Sequence, residues 1–223
     1  MLEIKRQYDK IGPSYIKGQN SFFSKRGDWC RIATAKHLKN VKGKKILDIG
    51  CGGGVDLKIF EQKGAKVYGL DPSKVMVEVC KKKVKNPENI KVGEYEKIPF
   101  PNKSFNIVFG RFSLHYLNKF DKAYKEISRV LAPKGVLFLI VSHPVFDLTY
   151  LLEKKHRNSK IISICLYNNK VKITFPPHTL RDYFSPQFFK LFNLIGLEEY
   201  EEEELKNKKS VIPGALMYFA QKK

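Results

Sequence analysis

Between residues 44 and 142, apolar runs of strand length alternate with amphipathic stretches of helix length, and that alternation restricts the fold more than any other feature of the chain. KKILDIG (44–50) is a short apolar run ending in glycine, the pattern of a buried strand. CGGGVDLKIFEQKG (51–64) turns through glycines into an amphipathic helix stopped by Gly64. AKVYGLD (65–71) is a second strand, and PSKVMVEVCKKKVK (72–85) opens with Pro-Ser, a favourable helix start. NIKVGE (89–94) and SFNIVFG (104–110) are strands three and four, and KFDKAYKEISRVLAPKG (119–135) reads as a helix ended by Pro133 and Gly135. VLFLIVS (136–142), the fifth strand, is almost unbroken apolar sequence, as in a parallel sheet covered on both faces. Repeated units of this kind imply an α/β fold with helices on both sides of the sheet.

The flanks differ. Two helical segments come first, Ile4 to Lys17 and Asp28 to Asn40, with Asp28 placed as an N-cap. Residues 143–183 read as an irregular lid or insertion that holds one hairpin, IISICLY and KVKITF about Asn168-Asn169. SPQFFKLFNLIG (185–196) reads as a short helix, and LEEYEEEEL and ALMYFAQ as two last strands able to pair antiparallel. A chain of 223 residues, 43% of them hydrophobic, is served by one domain. Its expected parts are a helical cap (1–40), a ligand-binding core (41–142), the insertion (143–183) and a closing helix with a strand pair (184–223).

Composition narrows the function. The longest apolar run, Val136 to Val141, falls far short of the ~18–20 residues of a membrane span. The N-terminal MLEIKRQYDK lacks the apolar stretch of a secretory signal, so a cytoplasmic location is expected. Cys30, Cys51, Cys80 and Cys165 stand singly, with no C-x-x-C pair to suggest zinc, and acids and histidines do not cluster at ligand spacing, so no metal is expected. Lys and Arg number 42 against 22 acids, a net charge of +20, which admits a nucleic-acid partner. Only seven of the 42 are Arg, the better residue for bidentate phosphate contacts, so the excess reads equally as compositional bias.

The ligand signal lies in ILDIGCGGG (46–54). Asp48 ends the first strand, and Gly50, Cys51 and Gly52 follow at once, allowing a sharp turn and close approach of backbone to a ligand. A carboxylate here is a poor neighbour for a pyrophosphate and a good one for a cationic sulfonium with an α-amino group. The dinucleotide fingerprint fails as well: counted from Gly50 its last position is Val55, and counted from Gly52 it is Leu57. In GLDPS (69–73), Asp71 at the second strand end can accept from both hydroxyls of a ribose, or cap the helix that begins at Pro72. After strand three, the Glu94 carboxylate and the Tyr95 backbone N–H are placed to meet an adenine amino group and ring nitrogen.

Through ILDIGCGGG, GLDPS, GEYEKIPFPNKSFNIVFGRFSLHYL and ISRVLAPKGVLFLIVS, the chain resembles the class I S-adenosylmethionine-dependent methyltransferases, in the broad group of ubiquinone- and menaquinone-biosynthesis enzymes. The resemblance covers residues 40–142, and QYDKIGPSYIKG resembles the helix that closes over the cofactor in that group. It implies a Rossmann-like, doubly wound sheet of seven strands, mostly parallel with an antiparallel last strand. It also implies S-adenosylmethionine as cofactor, with Asp48, Gly50, Cys51 and Gly52 about the methionine part, Asp71 and Pro72 at the ribose, and Glu94 and Tyr95 at the adenine. Tyr8 on the closing segment and Arg111 just after strand four complete the expected cofactor set. The family pattern is usually Gly-Asp-Ala where this chain has Gly93-Glu94-Tyr95, so the longer side chain must tilt back to make the same bond.

Methyl transfer from a sulfonium is an in-line displacement in which alignment does most of the work, and a general base serves oxygen and nitrogen acceptors. Candidate bases are His115 after strand four, His143 after strand five, His178 in FPPHTL, and Tyr15 on the closing segment. Phe146, Tyr150, Tyr167, Phe175, Tyr183 and Phe184 either pack the insertion or wall a pocket for a small, lipophilic acceptor. The expected activity is methylation of an O, N or C atom of a small molecule by a monomer or homodimer. The alternatives are a tRNA or RNA methyltransferase, favoured by charge, a nicotinamide-dependent dehydrogenase, disfavoured by the failed fingerprint, and a binding module that has lost catalysis.

Overall fold

The computed structural model describes residues 7–18, 29–153, 159–167, 171–200 and 213–223. Contacts divide the chain into two compact units, Met1–Glu94 with Ser163–Ile173, and Tyr95–Ile162 with Thr174–Lys223. Seven strands form a sheet of order β3-β2-β1-β4-β5-β9-β8, and β6 and β7 form a separate two-stranded sheet.

In the first unit, residues 7–18 are helical (α1), followed by α2 (Trp29–His37), β1 (Lys45–Ile49), α3 (Val55–Gln62), β2 (Lys66–Asp71), α4 (Lys74–Lys81) and β3 (Ile90–Val92). Asp28, the expected cap of α2, lies outside the described residues. β2 pairs in parallel with β1, Ile46 opposite Val67 and Ile49 opposite Leu70, and with β3, Asp71 opposite Val92. β1 is buried along four successive positions, which is why its sequence is a run and not an alternation. Leu57 and Phe60 of α3 and Met76, Val77 and Cys80 of α4 are buried. α3 ends as expected at Gly64: with φ +83° it donates to Glu61 O, while Ala65 N donates to Phe60 O, a Schellman closure.

The second unit holds β4 (Phe105–Arg111), α5 (Asp121–Val130), β5 (Leu131–Ser142), α6 (Pro144–Glu153), α7 (Leu180–Tyr183), α8 (Pro186–Leu191), β8 (Phe192–Tyr200) and β9 (Ala215–Lys222). The hairpin strands are β6 (Ile162–Leu166) and β7 (Val171–Phe175), and residues 168–170, where the turn was expected, lie outside the described set. β4 and β5 are parallel, and β9 runs antiparallel to both β5 and β8, so a single reversed strand is inserted near the sheet edge.

Three boundaries differ from the sequence reading. The helix expected over 119–135 stops at Val130, because Pro133 disfavours a helical Ala132 and Leu131 pairs with Phe105 as the start of β5. The helix expected over 185–196 stops at Leu191, and Phe192 pairs with Lys222 to begin β8. Residues 144–153, expected to be irregular, form α6. Among the described residues no helix is long and apolar enough to cross a membrane.

Candidate functional site

The glycine turn after β1 is held by β2. Gly50 N and Cys51 N both donate to Leu70 O, at 2.7 and 3.1 Å, and Gly50, Gly52 and Gly54 all adopt positive φ. A Cβ at Gly52 would meet nothing within 4 Å, so the bare backbone faces open space there. At Gly54 a Cβ would stand 2.6 Å from Cys80 Sγ, so that glycine serves packing. Asp48 is buried at the end of β1, 2% exposed.

Asp71 closes β2 and ties the turn to α4. Its Oδ2 accepts from Gly52 N at 2.9 Å and its Oδ1 from Ser73 N at 2.9 Å. The sequence left helix capping open to Asp71; the structure gives that role to Ser73, whose Oγ accepts from Met76 N at 3.2 Å. Both Asp71 oxygens retain a lone pair for hydroxyl donors. Burial pushes the Asp71 carboxyl up to about 6, against the two backbone N–H groups that favour its charged form, and the nearby Asp9 charge raises it further. Pro72 lies between Asp71 and the cap. Glu94, half-buried, forms an isolated bridge after β3, and Gly93 N donates to Asp71 O at 3.1 Å.

The cap helix is docked onto this same loop. Ser73 Oγ donates to Asp9 Oδ1 at 2.7 Å, and Val75 N approaches the same oxygen at 3.5 Å. Tyr8 and Tyr15 of α1 meet edge to face at 5.3 Å, and Tyr15 meets Tyr167, which follows β6, at 5.5 Å. Tyr167 lies so close to Gly18 that a Cβ there would be 2.5 Å from its ring.

In the second unit, Tyr95 is buried, and its hydroxyl lies 2.7 Å from Ser113 Oγ in space that a Cβ on Gly110 would fill. Arg111 is the last residue of β4 and is half-buried. The structure brings His115 and His178 together: His178 Nε2 donates to His115 O at 2.8 Å. Aromatic rings surround them. His115 lies 4.6 Å from Tyr116 and 4.7 Å from Phe175, and His178 lies 4.7 Å from Phe120. Burial lowers the His115 imidazole to about 3, helped by His178, and burial also lowers His178, so both rings are neutral near pH 7.

His143 stands apart from that pair. Its Nδ1 accepts from Val145 N at 3.1 Å and its Nε2 donates to Glu199 Oε1 at 2.8 Å, so both nitrogens are engaged and the ring caps α6. Two polar residues here escaped the sequence reading. Asp147 of α6 is fully buried and accepts from Ser142 Oγ at 2.5 Å. Burial lifts its carboxyl to about 7, against the Ser142 hydroxyl and the His178 backbone N–H. The available signal was a lone acid inside the apolar PVFDLTYLL. Asp9 gave no comparable signal, because it is one acid in a strongly basic segment.

The methyltransferase domain family matches residues 47–139. Demethylmenaquinone methyltransferase of Chlorobaculum parvum is 34% identical over 169 residues, covering 71% of this chain and 69% of that one. Its namesake from Chlorobaculum tepidum is 35% identical over 144 residues, covering 61% of this chain and 58% of that one, so the chain spans 58% to 69% of the length of these two relatives. Among solved structures, a Listeria monocytogenes protein described as an S-adenosylmethionine-dependent methyltransferase superposes with a TM-score of 0.69, over 88% of this chain and 97% of that one, at 24% identity, a likeness of fold. The matched segment runs from the strand before the glycine turn to the fifth strand. On these grounds the chain belongs to the class I S-adenosylmethionine-dependent methyltransferases.

Proposed function

We propose that the enzyme moves the methyl group of S-adenosylmethionine to an O, N or C atom of a small, apolar acceptor, by in-line displacement. The observation that carries the acceptor class is the surroundings of His115 and His178: two neutral imidazoles among Tyr116, Phe120 and Phe175. Such surroundings suit a flat, uncharged acceptor and offer nothing to a phosphate. The names of the Chlorobaculum relatives point the same way, toward an acceptor of the demethylmenaquinone kind.

The residues present fit the cofactor. The bare Gly52 backbone faces open space next to Asp71, whose two oxygens keep lone pairs for the ribose hydroxyls. In the first unit, Asp48, Gly50, Cys51 and Gly52 would hold the methionine part, Pro72 would line the ribose, Glu94 would meet the adenine amino group, and Tyr8 would close over them. When bound, the cofactor supplies a methyl group on a positively charged sulfur. Residues 1–40 act as the cap and 143–183 as the acceptor-side insertion of one methyltransferase domain. The Tyr15–Tyr167 contact supports the pairing of those two parts.

Among the candidate bases we assign the proton to His178. A conjugate acid as strong as that of His115 makes its ring a feeble acceptor, and His143 has no nitrogen to spare. His178 is protonated on Nε2, which leaves Nδ1 as its basic nitrogen. Tyr15, on the cap, is the remaining candidate. His178→Ala is expected to lower kcat by about a hundredfold, within the range for a lost general base. His143→Ala should instead cost about 1 kcal/mol of stability, the value of an N-cap, with kcat nearly unchanged. Steady-state kinetics and thermal melts separate the two.

A carboxyl raised on folding holds its proton more tightly in the folded state. The apoprotein therefore loses stability as pH rises from about 4, the ordinary value, to about 6. Hydroxyl donors favour the charged carboxylate, so cofactor affinity has the opposite slope and falls as pH drops through about 6. Calorimetric titrations on either side of that pH check the sign.

The acceptor class is tested by incubating the enzyme with methyl-labelled cofactor and an extract of the source cell. Label in lipids or small molecules is expected. Label in precipitate that nuclease releases would replace the small acceptor with RNA.

A further inference from the structure

The cap helix is tied to the cofactor loop by a short relay of hydrogen bonds that no assigned role uses. Asp9 of α1 accepts from the Ser73 hydroxyl at 2.7 Å, the Ser73 backbone N–H donates to Asp71 Oδ1 at 2.9 Å, and Asp71 Oδ2 takes the Gly52 N–H at 2.9 Å. Ser73 thus uses its hydroxyl in both directions, accepting from Met76 N to start α4 and donating to Asp9. A hydroxyl has one proton to give, and among the described residues Asp9 receives it.

We propose that Asp9 is a positioning residue for the methyltransferase reaction: by holding the Ser73 hydroxyl it fixes the Pro72–Ser73 backbone, and with it the Asp71 carboxylate, only when α1 is docked. Cap closure and ribose binding then become one event. Ser73 is shared between the cap helix and the start of α4. Without Asp9 the Ser73 hydroxyl is held only by the Met76 N–H that it accepts, and the N–H that orients Asp71 Oδ1 belongs to the residue so loosened. The far end of α1 is steadied independently, through Tyr15 and Gly18 against Tyr167.

Asp9 also acts on Asp71 through charge. The groups that bear on Asp71 are the Gly52 N–H from the glycine turn, the Ser73 N–H from the start of α4, and the Asp9 carboxylate from α1. The Cys51 thiol beside the turn feels both Asp71 and Asp48, which places those two carboxylates in one field. The two N–H groups favour ionised Asp71, and Asp9 opposes it. An amide at position 9 keeps an oxygen for Ser73 and removes the charge, so hydrogen bond and charge separate by substitution.

The proposal rests on the assignment of the ribose to Asp71, and the experiment keeps the two apart. S-adenosylmethionine is titrated calorimetrically into the full chain and its Asp9→Ala, Asp9→Asn and Asp71→Asn forms, across pH 5 to 8, with thermal melts to confirm folding. Asp9→Ala is expected to weaken binding about tenfold at neutral pH, as for one lost hydrogen bond to a charged group. Asp9→Asn is expected to bind nearly as well as the parent and to keep its affinity to lower pH. That acid-side shift is a readout that simple loosening of α1 does not produce. Parent-like affinity and pH dependence in both Asp9 variants, with Asp71→Asn weakened, overturns the role of Asp9 alone. Parent-like affinity in Asp71→Asn overturns the ribose assignment, and the relay with it.

Discussion

Asp71→Ala is expected to weaken S-adenosylmethionine binding by roughly 1.5–3 kcal/mol, the range for hydrogen bonds to a charged group, or about 10- to 150-fold in Kd. The substitution removes an acceptor at the end of β2 on which Gly52 N and Ser73 N both converge. It therefore takes away the ribose contacts and loosens the glycine turn in the same stroke. Because burial already opposes ionisation of Asp71, the free protein is expected to tolerate the change much better than the complex does. Equilibrium titration gives the affinity, and a melt without cofactor gives the stability. Unchanged affinity would place the ribose elsewhere.

Gly54→Ala is expected to destabilise the fold by roughly 2–5 kcal/mol. Two costs add: an L residue at left-handed φ, about 1–2 kcal/mol, and overpacking of a filled core, about 1–3 kcal/mol. Gly54 has φ +75°, and a Cβ there would stand 2.6 Å from Cys80 Sγ and 3.3 Å from Cys80 Cα. Cys80 has little room to yield, being fully buried with its sulfur 3.9 Å from Cys51 Sγ. For a chain of this size the melting temperature should fall by on the order of 10 °C. Adding Cys80→Ala should recover the packing part and leave the backbone part. Gly52→Ala is the contrasting case. Its φ of +49° carries the backbone cost, but nothing lies within 4 Å of the new methyl group, so it should spare most of the stability and impair cofactor binding.

The reach of the sequence can be judged from such residues. β1, β2 and the second half of β5 were legible because each is largely buried and reads as a short run of mostly apolar residues. The glycine turn was legible because positive φ at Gly50, Gly52 and Gly54 leaves few other residues acceptable. α6 was not, for a physical reason: it is amphipathic in reverse. Its internal acid, Asp147, is buried, while Val145, Leu148 and Leu152 are 46%, 58% and 44% exposed, so the periodicity that marks a helix has no polar face to show. The end of α8 was misjudged because FKLFNLIG suits a helix stripe as well as a strand, and the pairing of Phe192 with Lys222 decided between them.

The site divides in the same way. Asp48 and Asp71 announce themselves as acids at the ends of apolar runs, whereas the bond between Asp9 and Ser73 joins residues 64 apart and exists only once α1 is docked. The histidines were visible as candidates, but their roles depend on what each ring nitrogen meets. His143 spends both on the backbone of α6 and on Glu199, and His178 keeps one in reserve. Spacing along the chain carries no information about either.

The most direct test of the account is a calorimetric titration of the purified protein with S-adenosylmethionine, repeated with a nicotinamide dinucleotide in its place. Saturable binding of one S-adenosylmethionine per chain is expected, weakened at least tenfold by Asp71→Ala, with no binding of the dinucleotide. Binding of the dinucleotide at the same site, or S-adenosylmethionine affinity indifferent to Asp71, would contradict it.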